Sequence, residues 1–168
     1  MRTAGASRYA PAVTGTTTPP VEGASERLEA RAGSVQILRG GDGPPLLFLH
    51  AAGGAGTWLP FHGLLARRFE VIAPDHPGFG GSDDMPEVEA IDDLVYHYLD
   101  VLDRLGLERV DVVGGSLGGW IAAELAVHSP ERIPDATLRI VEDCGHAMYF
   151  EQPEAFADAV TEFLEAGS

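Results

Sequence analysis

Short apolar runs alternate along this chain with longer segments in which apolar residues recur at every third or fourth position. A short, nearly continuous apolar run is typical of a β-strand that is buried on both faces of a sheet. We therefore predict five strands, at residues 34–40, 44–50, 69–75, 109–115 and 137–143.

The longest helical pattern lies at residues 87–107. Its polar residues Asp92, Asp93 and Asp100 fall opposite a single apolar stripe, which predicts an amphipathic helix with one buried face. The stripe consists of Ile91, Leu94, Val95, Tyr98, Leu102 and Leu105. Further helices are predicted at residues 56–68, 118–129 and 153–167.

Strands and helices that alternate in this way predict an α/β fold, with a mainly parallel sheet covered by helices on both faces. The chain has 168 residues, of which 45% are hydrophobic, so it is large enough for one domain with its own core. We assign that domain to residues 26–168. Residues 1–25 are rich in Thr, Pro, Gly and Ala, and we expect them to form a flexible tail.

Charge and composition argue against several classes of partner. The formal net charge is −15 and there is no lysine, so nucleic acid and anionic membrane surfaces would repel the chain. Cys144 is the only cysteine and cannot form an internal disulfide. The N-terminal segment lacks the apolar core of a secretory signal, and no run is long enough to cross a bilayer, so we expect a cytoplasmic protein.

The predicted strand at residues 109–115 leads into a serine flanked by glycines. Residues 114–118 read GGSLG and fit the pattern G-x-S-x-G, in which a strand turns sharply into a helix with the serine at the apex. Glycine is needed on both sides because bulkier residues would clash. The positive end of the following helix favours negative charge beside the serine. Ser116 is therefore a candidate nucleophile; the alternative is a glycine-rich turn with an incidental serine.

Four segments, in this order, resemble the α/β-hydrolase superfamily, and the likeness covers most of residues 30–168. LLFLHAAGGAGTW (46–58) resembles the family's oxyanion loop after its third strand, and PDHPGFGGSD (74–83) resembles its Asp-x-Pro-Gly-x-Gly-x-Ser turn. VVGGSLGGWIAAELAVHSPERI (112–133) resembles the serine elbow and its helix. Residues 133–164 resemble the C-terminal segment, which carries a Gly-His pair. The resemblance implies an α/β-hydrolase fold and hydrolase chemistry without a cofactor.

The resemblance also implies a role for each matching residue. Ser116 matches the nucleophile and His146 the general base, since a neutral imidazole can take the serine proton and return it to a leaving group. The backbone N–H groups of Leu117 and Ala52 match the oxyanion donors. His50 matches the histidine that supports the oxyanion loop through hydrogen bonds.

The sequence departs from the family at two places. Ala51 stands where the family usually has glycine, and a positive φ there would cost roughly 1 kcal/mol or more. Ser116 and His146 are only 30 positions apart, so two strands, the cap and the loop with the triad acid are missing by resemblance. The chain reads as if a segment were deleted near residues 133–134. We expect the strand at 137–143 to pair with that at 109–115, which would bring Ser116 and His146 to one rim of the sheet.

No acidic residue matches the position of the family's triad acid. Asp75 follows a strand at the same rim and is expected to cap its own turn through backbone hydrogen bonds. The other acidic residues near the predicted site are Asp83, Asp84, Glu142 and Asp143. None of them is assigned a catalytic role.

The remaining candidate residues have simpler interpretations. No pair of histidines has the spacing of a metal site, so we predict no metal. His62, His97 and His128 lie in helical patterns and are expected to pack or to face solvent. Cys144 is interpreted as a small buried side chain, and Trp58 and Trp120 are expected in the core or in pocket walls.

Two classes of function remain open. The first is a serine hydrolase acting on small apolar esters or on related acyl or carbon–carbon bonds. The second is a catalytically inactive remnant that acts as a binding or dimerisation module, with a homodimer formed through an exposed sheet edge. A third, weaker hypothesis is that the chain folds only with a partner that fills the gap left by the missing strands.

Overall fold

The computed structural model describes residues 20–134 and 145–166, which form a five-stranded sheet in the order β1–β2–β4–β3–β5. The strands are β1 (Ala24–Glu29), β2 (Ser34–Gly40), β3 (Pro45–Leu49), β4 (Glu70–Pro74) and β5 (Asp111–Gly114). The helices are α1 (Pro60–Leu65), α2 (Ile91–Leu105), α3 (Leu117–His128), α4 (Met148–Glu151) and α5 (Pro153–Ala166).

The central strand β3 contributes to two separate cores, one on each face of the sheet. Leu47 and Leu49 join the cluster formed with α2 and α3, whereas Leu46 and Phe48 join the cluster formed with α1 and α5. All four side chains are at most 1% exposed. Successive side chains of a strand point to opposite faces, so burial on both faces requires the continuous apolar run seen in the sequence.

The pairing of the strands makes the sheet mixed rather than mainly parallel. β3 pairs in parallel with both β4 and β5, whereas β2 runs antiparallel to both β1 and β4. β1 and β2 are antiparallel because they are joined by a tight turn, closed by a hydrogen bond from Ala30 N–H to Gly33 O at 3.0 Å. The predicted α/β class, with helices on both faces, is confirmed.

Helix α2 has the amphipathic character that its sequence predicts. Its buried side chains include Val95, Tyr98 and Leu102, which all belong to the predicted stripe. The helix ends at Gly106, which takes a left-handed conformation with φ of 71°, where a side chain would be strained. The face that α2 buries includes the Tyr98 hydroxyl, which contacts the candidate site described below.

Strand β1 was not predicted, and it overlaps the expected tail. Its sequence ASERLE is polar and most of its side chains are exposed, so it lacks an apolar pattern. Ala24 and Ser25 already pair with β2, and Val21 N–H donates to Gly63 O at 3.1 Å. Regular pairing with β2 therefore begins before residue 26, and residues 1–19 lie outside the described residues.

The segment between α3 and α4 is described only at its two ends. Ile133 is buried against α2 and α3, and Val110 N–H donates to Arg132 O at 3.1 Å. The predicted strand at 137–143, together with Glu142, Asp143 and Cys144, lies outside the described residues. Helix α4 was not predicted, since a helix of four residues is too short to show a periodic pattern.

Candidate active site

Ser116 stands at a sharp corner between β5 and α3. Its backbone has φ of 52° and ψ of −112°, and it is the one non-glycine residue with positive φ among the residues that the structure describes. Such a conformation costs of order 1–3 kcal/mol and persists only where the surroundings impose it. Gly115 N–H donates to Leu49 O at 3.0 Å, which fixes the residue before the corner. The Ser116 side chain is exposed at the apex.

The glycines around Ser116 are required by contacts between backbones. A Cβ on Gly118 would lie 2.0 Å from the carbonyl oxygen of Leu49, and one on Gly114 would lie 2.2 Å from the carbonyl oxygen of Gly118. Real Cβ atoms do not approach so closely. The first turn of α3 can therefore pack against the end of β3 only if these positions have no side chain.

The loop after β3 lies beside this corner. Gly54 N–H donates to Ala51 O at 3.1 Å, and the His50 Nδ1 atom lies 2.6 Å from the same oxygen. Ala51 has a negative φ, so the backbone strain anticipated at this position is absent. Ala52, the predicted second oxyanion donor, is exposed at the tip of the loop.

His50 and His76 hold each other beneath the loop. The backbone N–H of His76 donates to His50 Nε2 at 2.9 Å, and His76 Nε2 donates to the carbonyl oxygen of His50 at 2.7 Å. Both side chains are buried, and burial lowers the pKa of His50 and brings that of His76 to about 3. His76 Nδ1 accepts a hydrogen bond from the hydroxyl of Tyr98, whose pKa is raised by complete burial. Neither residue was assigned to the site from the sequence, in which Tyr98 was predicted only as part of the buried stripe of α2.

His146 precedes α4, which packs against the serine corner. The Tyr149 ring is buried there, and a Cβ on Gly115 would lie 2.5 Å from its Cε1 atom. Burial raises the pKa of Tyr149, while the backbone N–H of Ala51 hydrogen bonds to its hydroxyl and acts in the opposite direction. The His146 side chain is exposed, three positions before Tyr149. Helix α4 therefore connects the His146 segment to both the loop and the corner.

No orienting carboxylate contacts His146 within the described ranges. Among residues 20–134 and 145–166, no acidic side chain forms a hydrogen bond with the His146 imidazole, and neither does Ser116 Oγ. Glu151 instead accepts the backbone N–H of Gly145 at 2.8 Å. Catalytic hydrogen bonds are often long before substrate binds, so the missing Ser116 contact is compatible with a nucleophile and its base.

Asp75 has the structural role that the sequence predicts. Its two carboxylate oxygens accept hydrogen bonds from Gly56 N–H at 2.6 Å, from Gly81 N–H at 2.9 Å and from Gln36 Nε2 at 3.1 Å. The side chain is 2% exposed. Asp75 therefore ties the loop before α1 to the turn after β4.

The other histidines and tryptophans have varied surroundings. His62 and His97 are buried, and burial lowers the pKa of His62 to about 3, whereas His128 is exposed on α3. Trp58 donates from Nε1 to Val21 O at 3.0 Å. Trp120 is 57% exposed, so the prediction of a core position for it is wrong. Its side chain lies on the outer side of α3, where its Nε1 donates to Glu124 Oε1 at 3.1 Å.

The described residues contain neither a metal site nor a membrane-spanning helix. No three His, Cys, Asp or Glu side chains in that part of the chain are grouped so that they could hold a metal ion. Within the same residues, every helix is too short or too polar to cross a bilayer.

Comparison with known proteins decides the family. The sequence profile of the alpha/beta hydrolase fold matches residues 44–139, which is more than half of the chain and includes both the loop after β3 and Ser116. This chain belongs to the α/β-hydrolase family. The resemblance found in the sequence is thereby confirmed.

Relatives of this α/β-hydrolase chain include enzymes of different activity. The 2-hydroxymuconate semialdehyde hydrolase of Pseudomonas sp. strain CF600 is 41% identical over 98 residues, covering 55% of this chain and 35% of that protein. The dihydrolipoyllysine-residue acetyltransferase component of the acetoin cleaving system of Cupriavidus necator is 33% identical over 122 residues, covering 72% of this chain and 33% of that protein.

A solved structure supports the same assignment. Naproxen esterase (carboxylesterase NP) from Bacillus subtilis superposes with a TM-score of 0.65 at 30% identity. The superposition covers 70% of this chain and 43% of the esterase. The chain thus spans about a third of the length of the two curated relatives and under half of the esterase.

Proposed function

We propose that this chain is a hydrolase that uses Ser116 as a nucleophile on small esters or on related acyl or carbon–carbon bonds. The backbone conformation of Ser116 is the observation that carries the proposal. It is strained and presents an exposed hydroxyl, so it contributes no burial that would offset its cost. A strained backbone that displays a reactive group at a helix N-terminus is explained by catalysis.

The proposed reaction follows from the groups around this corner. Ser116 Oγ attacks the acyl carbon while the His146 imidazole takes the hydroxyl proton. The carbonyl oxygen becomes negative and accepts hydrogen bonds from the backbone N–H groups of Leu117 and Ala52. His146 then gives its proton to the leaving group, and a water molecule releases the acyl group from Ser116 by the same steps in reverse order.

We expect the orientation of His146 to limit the rate of the proposed reaction. A histidine that lacks its orienting carboxylate can lose about 10⁴ in turnover while the other groups stay in place. No described carboxylate hydrogen bonds to His146. We therefore expect measurable turnover only for activated esters, whose leaving groups need little protonation.

The proposed substrate class follows from the exposure of Ser116. An open nucleophile gives low selectivity, and short, soluble esters reach it without a preformed pocket. The names of two similar proteins, a semialdehyde hydrolase and an esterase, support hydrolysis, and the second supports an ester substrate.

Hydrolysis of p-nitrophenyl acetate tests this proposal. Ser116→Ala should remove the enzymatic rate, because no other group supplies the attacking oxygen. The matched control is Ser25→Ala, which changes an exposed serine on β1 and should leave the rate unchanged. A rate that survives Ser116→Ala would rule out Ser116 as the nucleophile.

A second candidate function is an inactive module that binds or dimerises. Among the described strands, β5 pairs with β3 alone, and an unpaired strand edge is a template for pairing with a second copy. Size-exclusion chromatography with light scattering tests this candidate over a range of concentrations. A dimer without esterase activity would favour the module, whereas an active monomer would contradict it.

A further inference from the structure

We infer that His76 and Tyr98 are positioning residues for the oxyanion loop, acting through His50 on the peptide that carries the Ala52 N–H. The inference rests on the proposed function for its catalytic consequence. Structurally, the inference concerns a series of hydrogen bonds that runs from the buried face of α2 to the loop after β3. Every hydrogen bond in this series joins described residues.

The acceptor atoms fix where each imidazole carries its proton. A carbonyl oxygen only accepts, so His76 must carry its proton on Nε2 to bond to His50 O at 2.7 Å. The backbone N–H of His76 only donates, so His50 Nε2 must be unprotonated to accept it at 2.9 Å. The proton of neutral His50 is therefore on Nδ1, from which it donates to Ala51 O at 2.6 Å.

The Tyr98 hydroxyl completes this arrangement. With its proton on Nε2, neutral His76 leaves Nδ1 as an acceptor, and Tyr98 donates to it. Tyr98 is 0% exposed and packs in the core cluster of α2, so it has no access to solvent. Phenylalanine would fill the same space without a donor, so the hydroxyl adds only this hydrogen bond.

At the loop end of this series, the last hydrogen bond orients the candidate oxyanion donor. The carbonyl of Ala51 and the N–H of Ala52 belong to one planar peptide unit and point in opposite directions. Two donors hold that carbonyl, since Gly54 N–H lies 3.1 Å from it in addition to His50 Nδ1. Fixing the carbonyl fixes the direction of the Ala52 N–H, and a donor to an oxyanion stabilises it only when it is aimed in advance.

The alternative protonation states break this arrangement. If His50 carried its proton on Nε2, that proton would face the N–H of His76 and the bond to Ala51 O would be lost. The two rings lie tilted by 34° with centroids 3.8 Å apart, so a charge on either ring would be buried against the other. Both histidines are at most 4% exposed. The arrangement therefore holds only while both rings are neutral.

Nitrogen NMR of the full chain tests the hydrogen bonds without any need for activity. In the wild-type chain near neutral pH, His50 should show the Nδ1–H form and His76 the Nε2–H form, assigned by His50→Gln and His76→Gln. In Tyr98→Phe, His76 should keep its proton on Nε2 because His50 O still accepts it, but the nitrogen signal of Nδ1, which loses its donor, should shift, and the backbone amide signal of Ala52 should shift with it. Tyr96→Phe is the control, because Tyr96 lies on the same helix and is 64% exposed.

Several results would overturn this inference. A wild-type His50 found in the Nε2–H form, or a charged His50 or His76, contradicts it even if Tyr98→Phe fails to fold. A Tyr98→Phe chain in which the His76 Nδ1 signal and the Ala52 amide signal both stay unchanged also contradicts it. These readouts do not depend on ester turnover, so the proposed function can fail while the hydrogen-bond chain stands, and the reverse also holds.

Kinetics then separate positioning from stability. For p-nitrophenyl acetate, Tyr98→Phe should lower kcat about tenfold with little change in KM, since a misdirected donor weakens the transition state. Tyr96→Phe should change neither value. A Tyr98→Phe enzyme that stays folded at the assay temperature and keeps the wild-type kcat would show that the hydroxyl does not position the donor.

Discussion

The ring of Tyr149 lies against the backbone of Gly115, so closely that a Cβ on Gly115 would be 2.5 Å from Tyr149 Cε1. Gly115 precedes the candidate nucleophile, and Tyr149 follows the candidate base by three positions. This contact brings the two parts of the proposed active site together, although their sequences are separated by the undescribed residues 135–144.

The contact predicts coupling between these two positions. Gly115→Ala should destabilise the fold by about 1–3 kcal/mol, because the new methyl group displaces the Tyr149 ring. In the double variant with Tyr149→Ala, part of that loss should be recovered, so the two effects on the free energy of unfolding should not add. Urea denaturation of the four chains measures this. Strict additivity would show that the ring and the glycine are not in contact.

A neighbouring pair of glycines gives a sharper comparison. Gly118→Ala would place a methyl group 2.0 Å from Leu49 O, whereas the nearest atom to a methyl group on Gly119 is Gly114 O at 3.2 Å. Both residues lie in α3, where alanine is intrinsically favoured over glycine by about 1 kcal/mol. We expect Gly118→Ala to be less stable than Gly119→Ala by about 2 kcal/mol or more. Equal thermal midpoints for the two variants would disagree with the packing of α3 on β3.

The buried histidines predict how stability depends on pH. The pKa of His62 and that of His76 are each about 3 in the folded chain, against 6.5 for an exposed histidine. Between these values the unfolded chain binds more protons, so the free energy of unfolding should fall as the pH falls below about 6.5. Each group contributes up to about 1.4 kcal/mol per pH unit.

Urea denaturation between about pH 5 and 7 measures this slope. His62→Gln should reduce it, and the same substitution at exposed His128 is the control. If His62→Gln leaves the slope as steep as in the wild type, His62 is not held neutral by burial.

Replacing Asp75 should lower the stability of the fold rather than remove only the esterase activity. Asp75→Asn replaces one carboxylate oxygen, which accepts hydrogen bonds, with an NH₂ group, which donates them. The new group would face N–H donors, so the free energy of unfolding should fall by about 2–4 kcal/mol. Asp92→Asn, on the exposed side of α2, should cost less than about 0.5 kcal/mol. The opposite pattern, with esterase activity lost and the free energy of unfolding unchanged, would instead make Asp75 the orienting acid.

Much of the central fold could be predicted because burial on both faces leaves a clear sequence pattern. β2, β3, β4 and β5 lie within predicted apolar runs, and α2 has its predicted stripe. β1 was missed because an exposed edge strand needs no apolar residues. The mixed pairing was missed because alternating strands and helices indicate only the parallel part of the sheet. They give no information about the β1–β2 hairpin, which lies before the first helix.

The candidate site was only partly predictable. Ser116 was found because its backbone conformation demands neighbouring glycines, which a sequence displays directly. His76 and Tyr98 were missed because their hydrogen bond joins a turn to a helix 22 positions away, and no local pattern marks such a pair. The roles of His146, Ala52 and Leu117 still rest on resemblance and stay predictions.

The central claim is that the corner at Ser116 holds an activated nucleophile. The most direct measurement is labelling of the folded chain with a fluorophosphonate, followed by mass spectrometry to locate the modified residue. We predict a label on Ser116 that forms more slowly in His146→Ala than in His128→Ala and is absent from Ser116→Ala. A folded chain whose Ser116 takes up no label, or labels equally fast without His146, would contradict the account.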